Sequence, residues 1–186
     1  TVYVGTAQGG VYRTLNGGAS WTAIFDSALS LAIGSIAIAP SDPRIVYIGT
    51  GEPNSSCDSF FGVGVYRINN ADTTPVLNGP FNSTGGADVF TGRAVGRIVV
   101  HPTDANTIFV STTSGIGGIG CDAFNVLPNR GLFRSTNATT SCTFTQMTTS
   151  GINSSHVDVA MDPANPNRVL VTVNAASGSG GGIYLS

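Results

Sequence analysis

The sequence has no lysine. Its eight basic residues are all arginine, and with 10 acidic residues they leave a net charge of −2. Charged residues make up only 10% of the chain, against the ~25% of an ordinary soluble domain. There is therefore no basic footprint for nucleic acid and no polybasic patch for a membrane surface. No apolar run approaches the ~20 residues a membrane helix needs, so no membrane insertion is expected. The three cysteines form no CxxC, and no His stands near them at ligand spacing, which speaks against a metal site. No cofactor is called for. The first residues, TVYVGT, are strand-like, with no Met and no signal-peptide pattern, so the chain reads as a mature or truncated piece.

What is abundant is Gly, Ser, Thr and Asn, and 41% hydrophobic residues with a mean hydropathy of +0.20. With helix formers scarce, this composition predicts an all-β protein rich in turns. The stretch GVYRTLNGGASW (10–21) carries the clearest hairpin signal, Asn16-Gly17-Gly18 between two β-favouring runs. Its strand half returns as GVYRI (64–68), GLFRS (131–135) and GIYLS (182–186). A second element, SIAIAPSDPRIVYIGT (35–50), returns as RIVVHPTDANTIFVST (97–112) and DVAMDPANPNRVLVTV (158–173). Its prolines, Pro40, Pro102 and Pro163, stand 62 and 61 residues apart. Each copy reads as two apolar strands around a polar loop of about five residues.

Naming the recurring strands A, B, C and D, the chain reads B-C-D, A-B-C-D, A-B-C-D, A-B-C, with D poorly defined in the second unit. Strands A and B are apolar on both faces, as in Ile36 and Ile38 with Ala37 and Ala39. Strands covered on both sides, in units of this length, predict a β-propeller segment of about three and a half four-stranded antiparallel blades. The expected blades are 1–30 (partial), 31–92, 93–152 and 153–186 (partial), one propeller segment of a longer chain. Further blades of the same protein, or another chain, would complete it.

Thr14-Leu15-Asn16-Gly17-Gly18-Ala19-Ser20-Trp21 resembles the Asp box, with Asn in the acidic place, and the flanking strands are similar to the same bacterial-neuraminidase-repeat propellers. IVYIGTGEPN (45–54) followed by GVGVYR (62–67) resembles their sortilin-like and xyloglucanase-like branch. The box is intact once. The second unit lacks its Gly and Trp, and the third has Thr139 and Cys142 in their places. The resemblance implies a structural role for Thr14, Asn16, Gly18, Ser20 and Trp21. The polar side chain would tie turn amides and Trp21 would pack between sheets, on the face opposite the binding site. An extracellular or cell-surface location is implied with it.

In this topology the B–C and D–A loops share one face. Long loops carry function more often than tight turns. The candidate acids on that face are Glu52, Asp58, Asp88 and Asp122, from which a glycosidase would draw a pair ~5–10 Å apart. As the alternative, Glu52 and Asp58 simply hold turns. Asn54, Phe60, Phe61, Arg93, Phe124, Arg130 and His156 complete the expected ligand face. Cys57 and Cys121 sit in matching Cys-Asp-x-Phe tetrapeptides and either form a disulfide or stay reduced. Arg13, Arg67 and Arg134 recur at one strand-C position, which predicts a structural bond to a neighbouring blade or a place on the outer rim. The leading expectation is a non-catalytic propeller presenting these loops to a protein or glycan. The second is a glycoside hydrolase of xyloglucanase-like type acting on β-glucan, and the third a self-assembling surface or filament subunit.

Overall fold

The computed structural model describes residues 1–54, 58–115, 127–147, 156–174 and 181–185, without the side chains of 114, 115, 156 and 174. Four antiparallel sheets follow one another along the chain. The first holds β1 (Val2–Gly5), β2 (Val11–Thr14) and β3 (Thr22–Ala23). The second holds β4 (Ile33–Ile38), β5 (Val46–Thr50), β6 (Val65–Asn69) and β7 (Val76–Phe81). A small hairpin, β8 (Ser83–Thr84) and β9 (Ala87–Asp88), leads to the third sheet. That sheet is β10 (Arg93–His101), β11 (Asp104–Gly115), β12 (Leu132–Ser135) and β13 (Thr145–Met147). The fourth is β14 (His156–Met161), β15 (Val169–Asn174) and β16 (Gly182–Leu185). Within each sheet, sequence neighbours pair in order, and no helix occurs among the described residues.

Three apolar layers lie between the sheets. Val11, Val46, Ile48, Tyr66 and Ile68 fill the layer between the first and second. Tyr47, Val65, Val95, Ile98, Val110 and Phe133 belong to the next layer. Phe109, Leu132, Val157, Val159 and Val171 belong to the last. Strand β6 shows how one short sequence serves two layers. Its pleat sends Val65 to one side and Tyr66 and Ile68 to the other, so Tyr66 and Ile68 face the first sheet's layer and Val65 the third's. Each Val or Ile fully buried this way contributes about 1.5–3 kcal/mol. The ion pairs Arg44–Asp42, Arg97–Asp158 and Arg168–Asp162 are solvent-exposed, where water and salt screen them and they add little. Apolar stacking therefore outweighs charge, as a chain so poor in charge requires. Sheets of this kind stacked face to face form a β-propeller segment of about three and a half blades.

Arginine side chains stitch neighbouring sheets together. Arg13 of β2 is buried and its Nη1 donates to the Ala71 and Thr73 carbonyls beyond β6, at 2.8 and 2.9 Å. One sheet further on, Arg67 of β6 repeats the contact, its Nη1 donating to the carbonyls of Ala138 and Thr140. Its cross-strand neighbour Tyr47 reaches the same sheet, its hydroxyl donating to the Ala105 carbonyl at 2.8 Å. Arg134, at the same strand position in β12, is exposed and lies over the Phe109 ring.

The β2–β3 turn is closed by side chains. Asn16 Oδ1 accepts from the Thr14 hydroxyl and the Ser20 amide, while its Nδ2 donates to Ser20 Oγ. Gly17 and Gly18 take positive φ there (71° and 98°), which a side chain would resist. The β12–β13 turn rebuilds the cage without those glycines: Asn137 Oδ1 accepts from the Ser135 hydroxyl and the Thr143 amide, and its Nδ2 donates to Ser141 Oγ. It is a wider turn, and the positive φ falls instead on Cys142 (45°).

The structure corrects three expectations. Trp21 is 44% exposed rather than packed between sheets, because that side of the first sheet, with Val2 and Val4, has no sheet against it among the described residues. The second unit's D strand is well formed as β7, although its Gly and Pro gave it no strand signal. A register shift in its pairing with β6 absorbs the irregularity. The A–B connections are not uniform: residues 39–45 and 162–168 make broad loops, whereas His101 pairs directly with Asp104 in β10–β11.

Candidate functional site

The loops between β1 and β2, β3 and β4, β5 and β6, and β9 and β10 are bonded to one another along one rim. The Gly10 amide donates to the Leu31 carbonyl at 2.9 Å, and the Gly51 amide to that of Ala32 at 2.7 Å. Ser30 Oγ donates to the Phe61 carbonyl at 3.1 Å, and the Gly62 amide to that of Arg93 at 2.9 Å. Three of these loops converge on an open cleft of about 240 Å³, lined by Gln8, Leu29, Ser30, Leu31, Ala32, Phe60 and Phe61. Phe60 and Phe61 are 47% and 42% exposed, and Leu29 on the facing lip is 77% exposed.

The lip is held from below. The Leu29 amide donates to the Tyr66 hydroxyl at 3.0 Å, and Tyr66 packs edge-on against Phe25 at 5.0 Å between centroids. Burial pushes the Tyr66 phenol above its ordinary range, and the bond from Leu29 offsets part of that. The opposite wall is held by Glu52, whose Oε2 accepts from the Phe60 amide at 2.7 Å while its own amide donates to the Phe60 carbonyl at 2.8 Å.

The sequence-predicted residues separate into three groups. Glu52 and Asp88 are engaged in turns: Asp88 Oδ1 accepts from the amides of Phe90 and Thr91 at 3.0 and 2.9 Å, and its Oδ2 from Asn82. Arg93 is corrected from ligand face to scaffold. It is 7% exposed, and its Nε donates to the Pro128 carbonyl at 2.7 Å. Arg130 likewise donates from Nε to the Thr113 carbonyl, and the Asn54 carbonyl accepts from Ser59 Oγ. Phe60, Phe61 and Asp58 are exposed on the rim, and Asp58 makes no hydrogen bond or ion pair among the described residues. Among Glu52, Asp58 and Asp88 no hydrogen bond joins any two.

Cys57, Cys121, Asp122 and Phe124 lie outside the described residues. His156 opens β14 opposite Asn174, and its side chain lies outside them as well. Cys142, the one cysteine described, is buried and free. No group of three or more His, Cys, Asp or Glu gathers among the described residues. One acid escaped the sequence reading. Asp26, exposed in the β3–β4 loop that also lines the cleft, makes no hydrogen bond or ion pair among the described residues. Its place in a long D–A loop was the available signal.

No protein-family model matches the chain. Over 122 residues, 62% of its length, the chain is 33% identical to a xyloglucanase of Hypocrea jecorina (strain QM6a). It spans 14% of that protein. Among solved structures, an ancestral GH74 enzyme superposes on 99% of the chain with a TM-score of 0.66 at 20% identity. A GH74 enzyme of Niastella koreensis covers 98% with a TM-score of 0.59 at 21% identity. The chain corresponds to 21% and 26% of those two enzymes. These likenesses establish the propeller-segment fold.

Proposed function

We propose that the chain is part of a glycoside hydrolase of xyloglucanase type, acting on β-glucan outside the cell, with further blades completing the propeller. The observation that carries this reading is the 33% identity to a xyloglucanase across 62% of the chain. It moves the hydrolase ahead of the non-catalytic propeller that the sequence put first. The Asp-box kinship of the β2–β3 and β12–β13 turns belongs to the same reading, supported by their matching Asn16 and Asn137 cages.

Glycoside hydrolysis takes two carboxylates flanking the scissile bond, one protonating the leaving oxygen and the other activating water or attacking directly. Glu52 and Asp88 already hold loop backbone through their carboxylates, so recruiting either to a substrate would release its turn. That favours the two acids of the rim with no bond of this kind among the described residues, Asp26 and Asp58. In this reading the segment supplies one acid and the other blades the second. The test is hydrolysis of xyloglucan by the full-length protein, with Asp26→Asn and Asp58→Asn made separately. One of the two is expected to lower kcat by about 10²-fold or more, the scale of lost acid–base catalysis. Unchanged turnover in both variants removes the catalytic acid from this segment. Absence of any oligosaccharide release by the wild-type protein overturns the hydrolase reading.

A further inference from the structure

We infer that Arg134 is the third in a series of inter-sheet clamps, poised to hold the backbone turn that follows β16 in the longer protein. The chemistry it recognises is a pair of main-chain carbonyls, four and six positions beyond Leu185. The inference rests on the reading above that further blades complete the propeller, and it deepens that reading by naming the contact that seats the next stretch of chain.

A repeated register carries it. Arg13 of β2 stands opposite Tyr3 of β1, Arg67 of β6 opposite Tyr47 of β5, and Arg134 of β12 opposite Phe109 of β11. Residues directly opposite each other share one face of a sheet, and these pairs face the sheet that comes next. Tyr3 packs in the layer shared with the second sheet, Tyr47 in that shared with the third, and Phe109 in that shared with the fourth. Arg13 donates to the carbonyls of Ala71 and Thr73, which stand four and six positions after Arg67. Arg67 donates to those of Ala138 and Thr140, four and six positions after Arg134. Each arginine thus holds the turn that follows the corresponding strand of the next sheet, at one offset used twice. In the fourth sheet that position is Leu185, paired with Leu170 as Arg134 is with Phe109. The same offset, counted on from Leu185, gives the carbonyls for Arg134.

The groove beside Arg134 suits this occupant. It holds about 190 Å³ and is lined by Arg134, Thr136, Asn137, Thr143, Thr145 and Met147. Hydroxyls, an amide and a guanidinium match polar main chain, and no carboxylate among them neutralises the arginine. Arg13 and Arg67 are buried, whereas Arg134 is exposed and makes no hydrogen bond or ion pair among the described residues. Its guanidinium lies over the Phe109 ring at 5.7 Å, which orients it before the turn arrives. A guanidinium carries five N–H donors in a rigid fork, so one side chain can hold two carbonyls while its plane stays on the ring. The series stops at this sheet. Leu185 has no donor to offer, and with Leu170 it makes the corresponding outward pair of the fourth sheet apolar.

The experiment is hydrogen–deuterium exchange of the full-length protein, read on peptides spanning the turn after Leu185, with its crystal structure as the second measurement. In the wild-type structure Arg134 is expected to donate to both carbonyls of that turn. Arg134→Ala is expected to raise amide exchange there by roughly tenfold or more, the scale of one hydrogen bond to a charged group. Arg67→Ala, which removes the contact already seen, is expected to do the same around Ala138 and Thr140. In the 186-residue chain by itself, where Arg134 is exposed, its removal is expected to change little. Unchanged exchange in the turn after Arg134→Ala overturns the clamp, as does a full-length structure in which Arg134 faces solvent or pairs with a carboxylate. Xyloglucan hydrolysis is measured on the same samples. A closed clamp in a wild type without hydrolysis keeps the clamp and removes the hydrolase, and hydrolysis with Arg134 unbound does the reverse.

Discussion

At the scale of single residues, the buried arginines bond backbone carbonyls, while the ion pairs lie at the surface. Arg67 satisfies two carbonyls of the next sheet from a buried position and stacks on Phe81 at 5.5 Å. Truncating it strands both acceptors, and each unsatisfied buried group costs about 1–3 kcal/mol. Arg67→Ala is therefore expected to destabilise by about 2–4 kcal/mol in urea unfolding of the 186-residue chain, and Arg134→Ala, exposed, by under about 1 kcal/mol. Equal effects would mean that the inter-sheet bonds contribute nothing. Cys142 makes a pH prediction. Burial pushes its thiol from an ordinary 9.0 up to about 12, against smaller opposing effects of Arg67 and the Ser135 hydroxyl. The unfolded chain then ionises this thiol first as pH rises, so stability is unaffected below pH 9 and falls between about 9 and 12. Tyr47, buried and likewise raised, adds to the fall. Denaturant midpoints across that range, compared with those of Cys142→Ala, check the cysteine's share: the variant's alkaline slope is expected to be shallower.

At the scale of elements, the rim is built where strands end and glycines let backbones meet. A Cβ on Gly62 would stand 2.2 Å from the Thr50 carbonyl oxygen and 2.7 Å from that of Arg93, both backbone atoms that cannot swing away. Gly62→Ala is expected to displace the β5–β6 loop, with accelerated proteolysis within 51–62 and loss of more than about 2 kcal/mol. Limited proteolysis of the variant beside wild type decides this, and matching cleavage rates would show the contact to be soft. The same crowding explains why a long loop can present Phe60 and Phe61 without collapsing onto them. Its base is held at Gly51, Gly62 and Glu52, which fixes the stem from which the two rings project.

At the scale of the whole molecule, four sheets stack through three apolar layers, and the outer sides remain apolar at Val2 and Val4 on one end and at Leu170, Ile183 and Leu185 on the other. Trp21, on the turns at the rim opposite the cleft, reports on the first of these sides. In the 186-residue chain its fluorescence is expected to be readily quenched by acrylamide. Resistance to quenching would show that this side is covered.

How much of this was legible in the sequence depended on how local the cause was. The repeated runs around Pro40, Pro102 and Pro163, and the returning GVYR, determined strand order and the four-sheet array, because period-two patterning and turn residues act over a few positions. The recurrence of Arg13 and Arg67 likewise marked a repeated structural contact, since one geometry used at successive sheets needs one residue. The irregular strand β7 was not legible, because its pairing comes from β6 beside it and overrides poor local propensity. Nor was the exposure of Trp21, which depends on whether a sheet stands opposite. Only the tertiary structure separated the loop acids, tying Glu52 and Asp88 to amides and leaving Asp26 and Asp58 without a bond among the described residues. It also buried Arg93 and brought Gln8, Leu29 and Phe60 to one cleft from three loops. Sequence determines an element through neighbours along the chain. A site is made by neighbours across it, and those are set only when the sheets have stacked.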